Sequence, residues 1–426
     1  MVHVPAALGV WMLVSAQPPP VSPPVFYKDV LPILQKHCQV CHRQGEAGPM
    51  PLTSYDETRQ YAKEVRENVV ARTMPPWFAN PSFGHFANNP SLTDLEIRTI
   101  EAWVNAGTPE GSPSSAPPPV HWHEGWNIAP DIVFSMPAPF PIPAKAVIDY
   151  QYLIIPTHFS TDRWVTAVEV QPGDRRVVHH AVVYVRPPDS TWLRDVPANA
   201  MYAPRANDAE ALRRSRDTKA DILAVYSPGT PATVCPPGMA KKIPAGSDLV
   251  VQFHYTSLDT ATEDQSVVGL SLSADEPKWR ILTLQMGNDT FVIPPGAPDY
   301  RVTVSGTMPR DALLVSLFPH MHLRGHEFEY KVTPPGGQPE TLLDVKPWDF
   351  ACQLSYQLER PRLLHRGDRL TWIAHFDNSA GNPDDPNPAM EVRWGEQSWQ
   401  EMMIGFFDVA VPPDVDKARF FAARGR

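Results

Sequence analysis

Proline sets the first limit on this chain: 50 of its 426 residues are proline, roughly twice the usual share. Proline lacks an amide hydrogen and clashes with the turn before it, so helix interiors and central strands exclude it. A chain interrupted so often reads as short strands joined by many turns. Apolar residues still make up 42% and charged ones 20%, enough to fold, and the length calls for more than one core. The formal charge is −10 with no Lys/Arg-rich run, which argues against a nucleic-acid partner.

Residues 1–16 form a short apolar run ending Val14-Ser15-Ala16, a small-residue ending of the kind signal peptidases cut. The run is too short for a bilayer core of ~30 Å. It reads as an export signal, implying a periplasmic or secreted protein with no transmembrane segment. Residues 26–108 read as a small helical unit. Val30, Leu31, Ile33 and Leu34 lead into Cys38, while Ser54–Glu57 and Thr93–Glu96 have capping-box spacing. Gly107 suits the left-handed position after a helix end. Residues 109–120 are a Pro-rich linker by composition. Beyond it, β-branched runs at 164–170, 177–185, 249–255, 313–318 and 370–376 are separated by turn residues. That spacing predicts two antiparallel β-sandwiches of jelly-roll type, over 121–285 and 286–413.

Cys38-Gln39-Val40-Cys41-His42 has the CxxCH spacing of covalent c-type haem attachment: two thiols bond the porphyrin and the adjacent imidazole reaches the iron. A zinc site would need two further ligands, and the other cysteines, Cys235 and Cys352, are far along the chain. A redox CxxC would be expected in a βαβ context, which the pattern lacks. For the sixth iron ligand Met50, Met74 and His85 are open, a thioether being common in electron carriers. Phe26-Tyr27-Lys28-Asp29-Val30-Leu31-Pro32-Ile33-Leu34 and Met74-Pro75-Pro76-Trp77 resemble segments of small cytochrome c domains. That resemblance implies an all-α cytochrome c domain over 26–108 with Met74 as the ligand.

The β-rich part carries four histidine or methionine patterns. His179-His180 lies in an aliphatic run, His254 in Gln252-Phe253-His254-Tyr255, His320-Met321-His322 after a hydrophobic stretch, and Met402 after Glu401. Each alone is weak. A lone strand histidine is more often a hydrogen-bonded core residue, a strand methionine is usually packing, and His121-Trp122-His123 repeats the His-x-His spacing in what reads as linker. His179 and His180 would point to opposite faces of a regular strand, so joint use of both requires a bulge or strand end.

In order, across roughly 130–412, these patterns resemble the copper type II ascorbate-dependent monooxygenases, the family of peptidylglycine α-hydroxylating and dopamine β-monooxygenases. Pro319-His320-Met321-His322-Leu323-Arg324-Gly325, Asp377-Asn378-Ser379 with Asn382-Pro383, and Val392-Arg393-Trp394-Gly395-Glu396-Gln397 are similar to bacterial members that carry a cytochrome. The resemblance implies one copper on His179, His180 and His254, and a second, O₂-activating copper on His320, His322 and Met402. Soft thioether beside imidazole favours Cu(I). It further implies a small-molecule substrate and O₂; the covalent link to the haem segment through the Pro-rich tether adds the expectation that an external electron donor acts through the haem. The family's peptide-amidating enzymes hold a substrate carboxylate with an arginine and a tyrosine. Phe318 and Phe406 occupy those positions here, which points to a less polar substrate, since a buried anion without partners costs several kcal/mol. Met403 replaces a cysteine of animal relatives. Two other readings stand beside this one: a non-catalytic electron-transfer or copper-binding protein, and a structural β-protein whose histidines are core residues.

Overall fold

The two capping boxes form at both expected places. Ser54 caps Tyr55–Gln60 and Thr93 caps Asp94–Asn105, each with the reciprocal bond from the glutamate three residues on. The computed structural model describes residues 22–422 apart from 47, 123–124, 205–219 and 228–231. The expected export signal at 1–16 and His123 therefore lie outside the described residues. Two more short helices, Leu31–His37 and Ala62–Val70, complete the helical segment. Phe26, Leu34, Val65, Val69, Ile100 and Trp103 bury their side chains together between them.

The small all-α cytochrome c domain expected over 26–108 is not seen. The described residues are 37% strand and 13% helix, and the longest helix of this segment has 12 residues. The reason lies in 71–93, where Pro75, Pro76, Pro81 and Pro90 deny a helix. Extended backbone there needs partners for its amides and carbonyls, and finds them on the β-structure. Ala79 bridges Val345 and Phe86 bridges Leu358. Trp77 and Phe86 pack against Tyr356 at ring distances of 4.8 and 5.6 Å. The strands so covered, Glu340–Val345 and Tyr356–Leu364, are each the edge of a sheet, so this stretch caps two edges that would otherwise be open to pairing.

Two separate antiparallel sandwiches are not seen either. One nine-stranded sheet runs through both halves. At its centre Trp279–Gly287 pairs from Arg280 onward with Ile404–Val411 and, in parallel, through Trp279 and Arg280 with the start of Met239–Ile243. A five-stranded sheet containing Val178–Arg186 and Asp248–Tyr255 covers one half, burying Leu153, Val183 and Val251 against Val165, Val168 and Leu270. A four-stranded sheet containing Gly325–Thr333 and Arg369–Phe376 covers the other, burying Phe328, Tyr330 and Trp372 against Leu314 and Val409. No helix among the described residues is long and apolar enough to cross a membrane.

The proline-rich stretch expected as a linker lies back along the helices. Pro109 O accepts from Phe26 N at 2.9 Å and from Trp103 Nε1 at 3.0 Å, and Pro118 O accepts from Gln35 Nε2 at 3.1 Å. Charge fastens the other side of the segment. Glu46 meets Arg43 at 2.7 Å and Arg175 at 3.1 Å, and Arg43 also donates to Asn127 Oδ1 at 3.1 Å.

Acid should loosen the segment first at Glu96, whose carboxylate accepts from Thr93 N (2.7 Å), Thr93 Oγ1 (2.8 Å) and His37 Nε2 (3.1 Å). Burial alone would raise its pKa, but the bonds from Thr93 and His37 outweigh that and hold it at about 2, against ~4.3 in an unfolded chain. The stabilisation is therefore present above pH ~4.3 and is lost as pH falls towards 2. Urea titrations at pH 5 and pH 3 are expected to show a smaller loss for Glu96→Gln than for wild type. Equal losses would rule this residue out as a source of the acid sensitivity.

Candidate functional site

Cys38 follows the last residue of Leu31–His37, and the next turn folds Cys41 and His42 back over it. The amides of Cys41 and His42 both donate to Cys38 O, at 3.1 and 2.8 Å. All three side chains face one cavity of about 440 Å³. Its far walls come from both β-halves, with Ala224 and Cys235 on one side and Phe318, Leu354 and Phe406 on the other. Met50 and Met74 line the same cavity, whereas His85 faces a neighbouring recess beside Met74. The His42 ring is held by a bond from Nδ1 to Met50 O at 3.1 Å, which leaves the Nε2 lone pair free to serve as a ligand. Gly48 permits this: a Cβ there would stand 2.6 Å from His42 Nδ1. Two thiols, an oriented imidazole and two thioethers around a mostly apolar hollow fit a covalent haem. Burial pushes the Cys38 thiol up to about 12. Cys235 and Cys352 are both free thiols.

The histidines of the first half converge through a bulge. Asp248–Tyr255 runs beside Val178–Arg186 in register, with His254 opposite His180, but Tyr255 is opposite Val178. His179 is the extra residue, and the bulge turns its ring to the side of its neighbour. His180 Nδ1 lies 3.1 Å from His179 Nδ1 and 3.3 Å from His254 Nδ1, and the three offer one ligand atom each within 4.8 Å of one another. Burial pushes His179 down to about 3 and His254 to about 4, and takes His180 and His322 well below the usual value. Neutral imidazoles keep a lone pair for a metal.

His320 ends the strand Ala312–His320, opposite Ile404 at the start of Ile404–Val411. Met321 points away into the second core, so His320 and His322 share a side. His322 is completely buried; its Nδ1 donates to Gln400 O at 3.2 Å, and its Nε2 has no hydrogen-bond partner among the described residues. A buried lone pair of that kind is costly unless something binds it. Met402 is buried two residues before Ile404. The resemblance implied one ligand set in each half, and the structure makes the two sets neighbours. The rings of His180 and His320 are 5.7 Å apart, and Phe350 stands 4.5 Å from His179 and 6.0 Å from His322.

Three residues with no assigned role support this cluster. Glu401, fully buried, accepts from His322 N (2.9 Å), Met402 N (3.3 Å) and Arg324 N (2.7 Å); burial pushes its carboxyl up to about 8. Arg324 pairs with Asp385 at 2.8 Å. Gln353 sits between His180 and His320. Arg324 and Glu401 lie inside quoted motifs and could have been flagged by adjacency; Gln353 stands in no pattern. A separate group, Glu327, Glu329 and His375, is already paired with Lys346, Lys331 and Asp299.

No family model and no curated protein matches the sequence. Among solved structures, the infectious bursal disease virus VP2 subviral particle is 8% identical over 68% of this chain and 74% of that one, with a TM-score of 0.19. PNGF-II is 8% identical over 64% and 65%, with a TM-score of 0.25. Likenesses of that size carry no argument.

Proposed function

We propose that this chain is an exported oxidoreductase that hydroxylates a C–H bond of a small organic substrate: R–H + O₂ + 2 e⁻ + 2 H⁺ → R–OH + H₂O, with electrons from an external donor relayed through haem. The observation that carries the reading is the convergence of His179, His180 and His254 within 4.8 Å of one another, with the His320–His322 pair against them and the CxxCH turn facing a cavity of its own. Haem would be held by Cys38, Cys41, His42 and Met74; one copper by His179, His180 and His254; the other by His320, His322 and Met402. Bound there, these groups supply the one-electron and O₂ chemistry that no side chain of the chain can provide. The residues themselves position and exclude. Phe318 and Phe406, 5.8 Å apart, line the cavity that would hold the haem, and neither offers a substrate carboxylate a charge partner or a hydroxyl. Glu401 ties the backbones of His322, Arg324 and Met402 into one unit.

Haem and copper content of protein matured with haem-attachment machinery tests this. One haem and two coppers per chain are expected, one copper fewer in His322→Ala and in Met402→Ala, and O₂ uptake with a reductant only in the wild type. Two coppers without O₂ uptake would favour an electron-transfer or copper-binding protein. Haem without copper would end the oxygenase reading.

A further inference from the structure

Gln353 is fully buried, and its side chain lies between the two histidine sets. Its Oε1 is 2.7 Å from His320 Nδ1, and its Nε2 is 3.1 Å from His180 Nε2 and 3.2 Å from Phe350 O. Its backbone is held separately, the carbonyl accepting from Ser227 Oγ at 2.8 Å. A carboxamide oxygen only accepts and its nitrogen only donates. Phe350 O decides which way the amide faces, because turning it over would set two acceptor oxygens against each other.

The consequences for the imidazoles are opposite. His320 must carry its hydrogen on Nδ1 to donate to Oε1, so Nε2 is its ligand atom. His180 must keep the lone pair of Nε2 to accept from the amide, so as a neutral ring it carries its hydrogen on Nδ1. That atom faces His179 Nδ1 and His254 Nδ1 at 3.1 and 3.3 Å. The hydrogen thus lies where a metal on those three nitrogens would sit. One amide holds the His320 side ready for a metal and the His180 side closed.

We infer that Gln353 is a positioning residue that sets the order of metal loading. The set of His320, His322 and Met402 fills first. The set of His179, His180 and His254 fills only after the His180 hydrogen moves from Nδ1 to Nε2 and the bond from Gln353 is given up. This rests on the two-copper reading above. A carboxylate at this position would change the outcome, because it cannot donate to His180 Nε2. One of its oxygens then faces Phe350 O without a hydrogen between them, yet that oxygen can accept from His180 Nε2–H while the other accepts from His320 Nδ1–H, which moves the His180 hydrogen off Nδ1.

The test is an anaerobic titration of the haem-loaded full-length protein with Cu(I) against a competing chelator, followed by X-ray absorption. In the wild type, the first equivalent is expected to show sulfur scattering from Met402, absent in Met402→Ala, and the second equivalent to bind more weakly. Gln353→Glu is expected to tighten the second step by about tenfold or more, the usual scale for a group behind a ligand histidine. Gln353→Met, which neither donates nor accepts, is expected to weaken the first step by a similar factor and abolish the order. First-equivalent copper without sulfur scattering would overturn the inference. So would two bound coppers in Gln353→Glu with an unchanged second step or, where that variant does not fold, ordered loading in Gln353→Met. A wild type that binds no copper would instead sink the two-copper reading, and this inference with it.

Discussion

Replacing Cys38 and Cys41 together with serine is expected to remove the haem and lower the unfolding midpoint by more than ~10 °C. Both thioether links go, so haem staining should disappear from denaturing gels. The stability loss follows from where the haem would sit. The cavity of about 440 Å³ is walled by the helical segment and both β-halves, so its content holds three parts of the chain together. The cavity is partly open to solvent, so water replaces a missing haem and the loss is that of apolar contact with the walls, at ~25 cal/mol per Å² on the order of several kcal/mol. A whole domain is stable by only ~5–15 kcal/mol. Proteolysis should then begin within 71–93, the stretch whose backbone bonds reach Val345 and Leu358. A double variant that melts with the wild type would show that haem does not fill this cavity. The same variant checks the electron route: copper reduced by an external donor as fast as in the wild type would take the haem off the path.

Some of this architecture was legible in the residues and some was not, and the division has a physical basis. The capping boxes at Ser54 and Thr93 and the turn from Cys38 to His42 are local, with every partner within five residues. The bulge at His179 was legible as a condition, because adjacent strand residues share a side only where the ladder slips. The shared nine-stranded sheet was not. Whether Trp279–Gly287 finds Met239–Ile243 in parallel depends on packing of both faces, and strand propensity says nothing of partner. The all-α expectation failed at 71–93 for a related reason: the prolines there announce only that no helix forms, and which sheet edges receive the chain is a tertiary outcome. Gln353 and Arg324 are single polar residues whose meaning comes from what surrounds them. Nothing at 353 sets that glutamine apart until His180 and His320 are seen on either side.

Arg324→Met is expected to cost about 3–5 kcal/mol, the usual price of leaving a buried charge without its partner. Methionine keeps most of the side chain's length and apolar volume, so the effect isolates the guanidinium. That group is completely buried and pairs with Asp385 at 2.8 Å, whose side chain is also fully buried. It donates besides to Asn378 Oδ1 at 2.8 Å and to Trp399 O at 2.9 Å. Without it, Asp385 keeps a buried carboxylate, one of whose oxygens already has no hydrogen-bond partner among the described residues. The loop carrying Asn378 and Asp385 and the turn before Glu401 would then no longer be drawn together behind His322. Metal analysis should show the consequence at one site: copper lost from the set of His320, His322 and Met402, and kept on His179, His180 and His254, which Arg324 does not touch. Arg324→Met combined with Asp385→Leu separates charge from packing. Replacing both members of a buried ion pair with apolar groups is often close to neutral, so the double variant should regain most of the stability lost by the single one. It should not regain the copper, because the bonds to Asn378 and Trp399 remain absent. A double variant as unstable as Arg324→Met would mean that those two bonds, and not the stranded carboxylate, account for the loss.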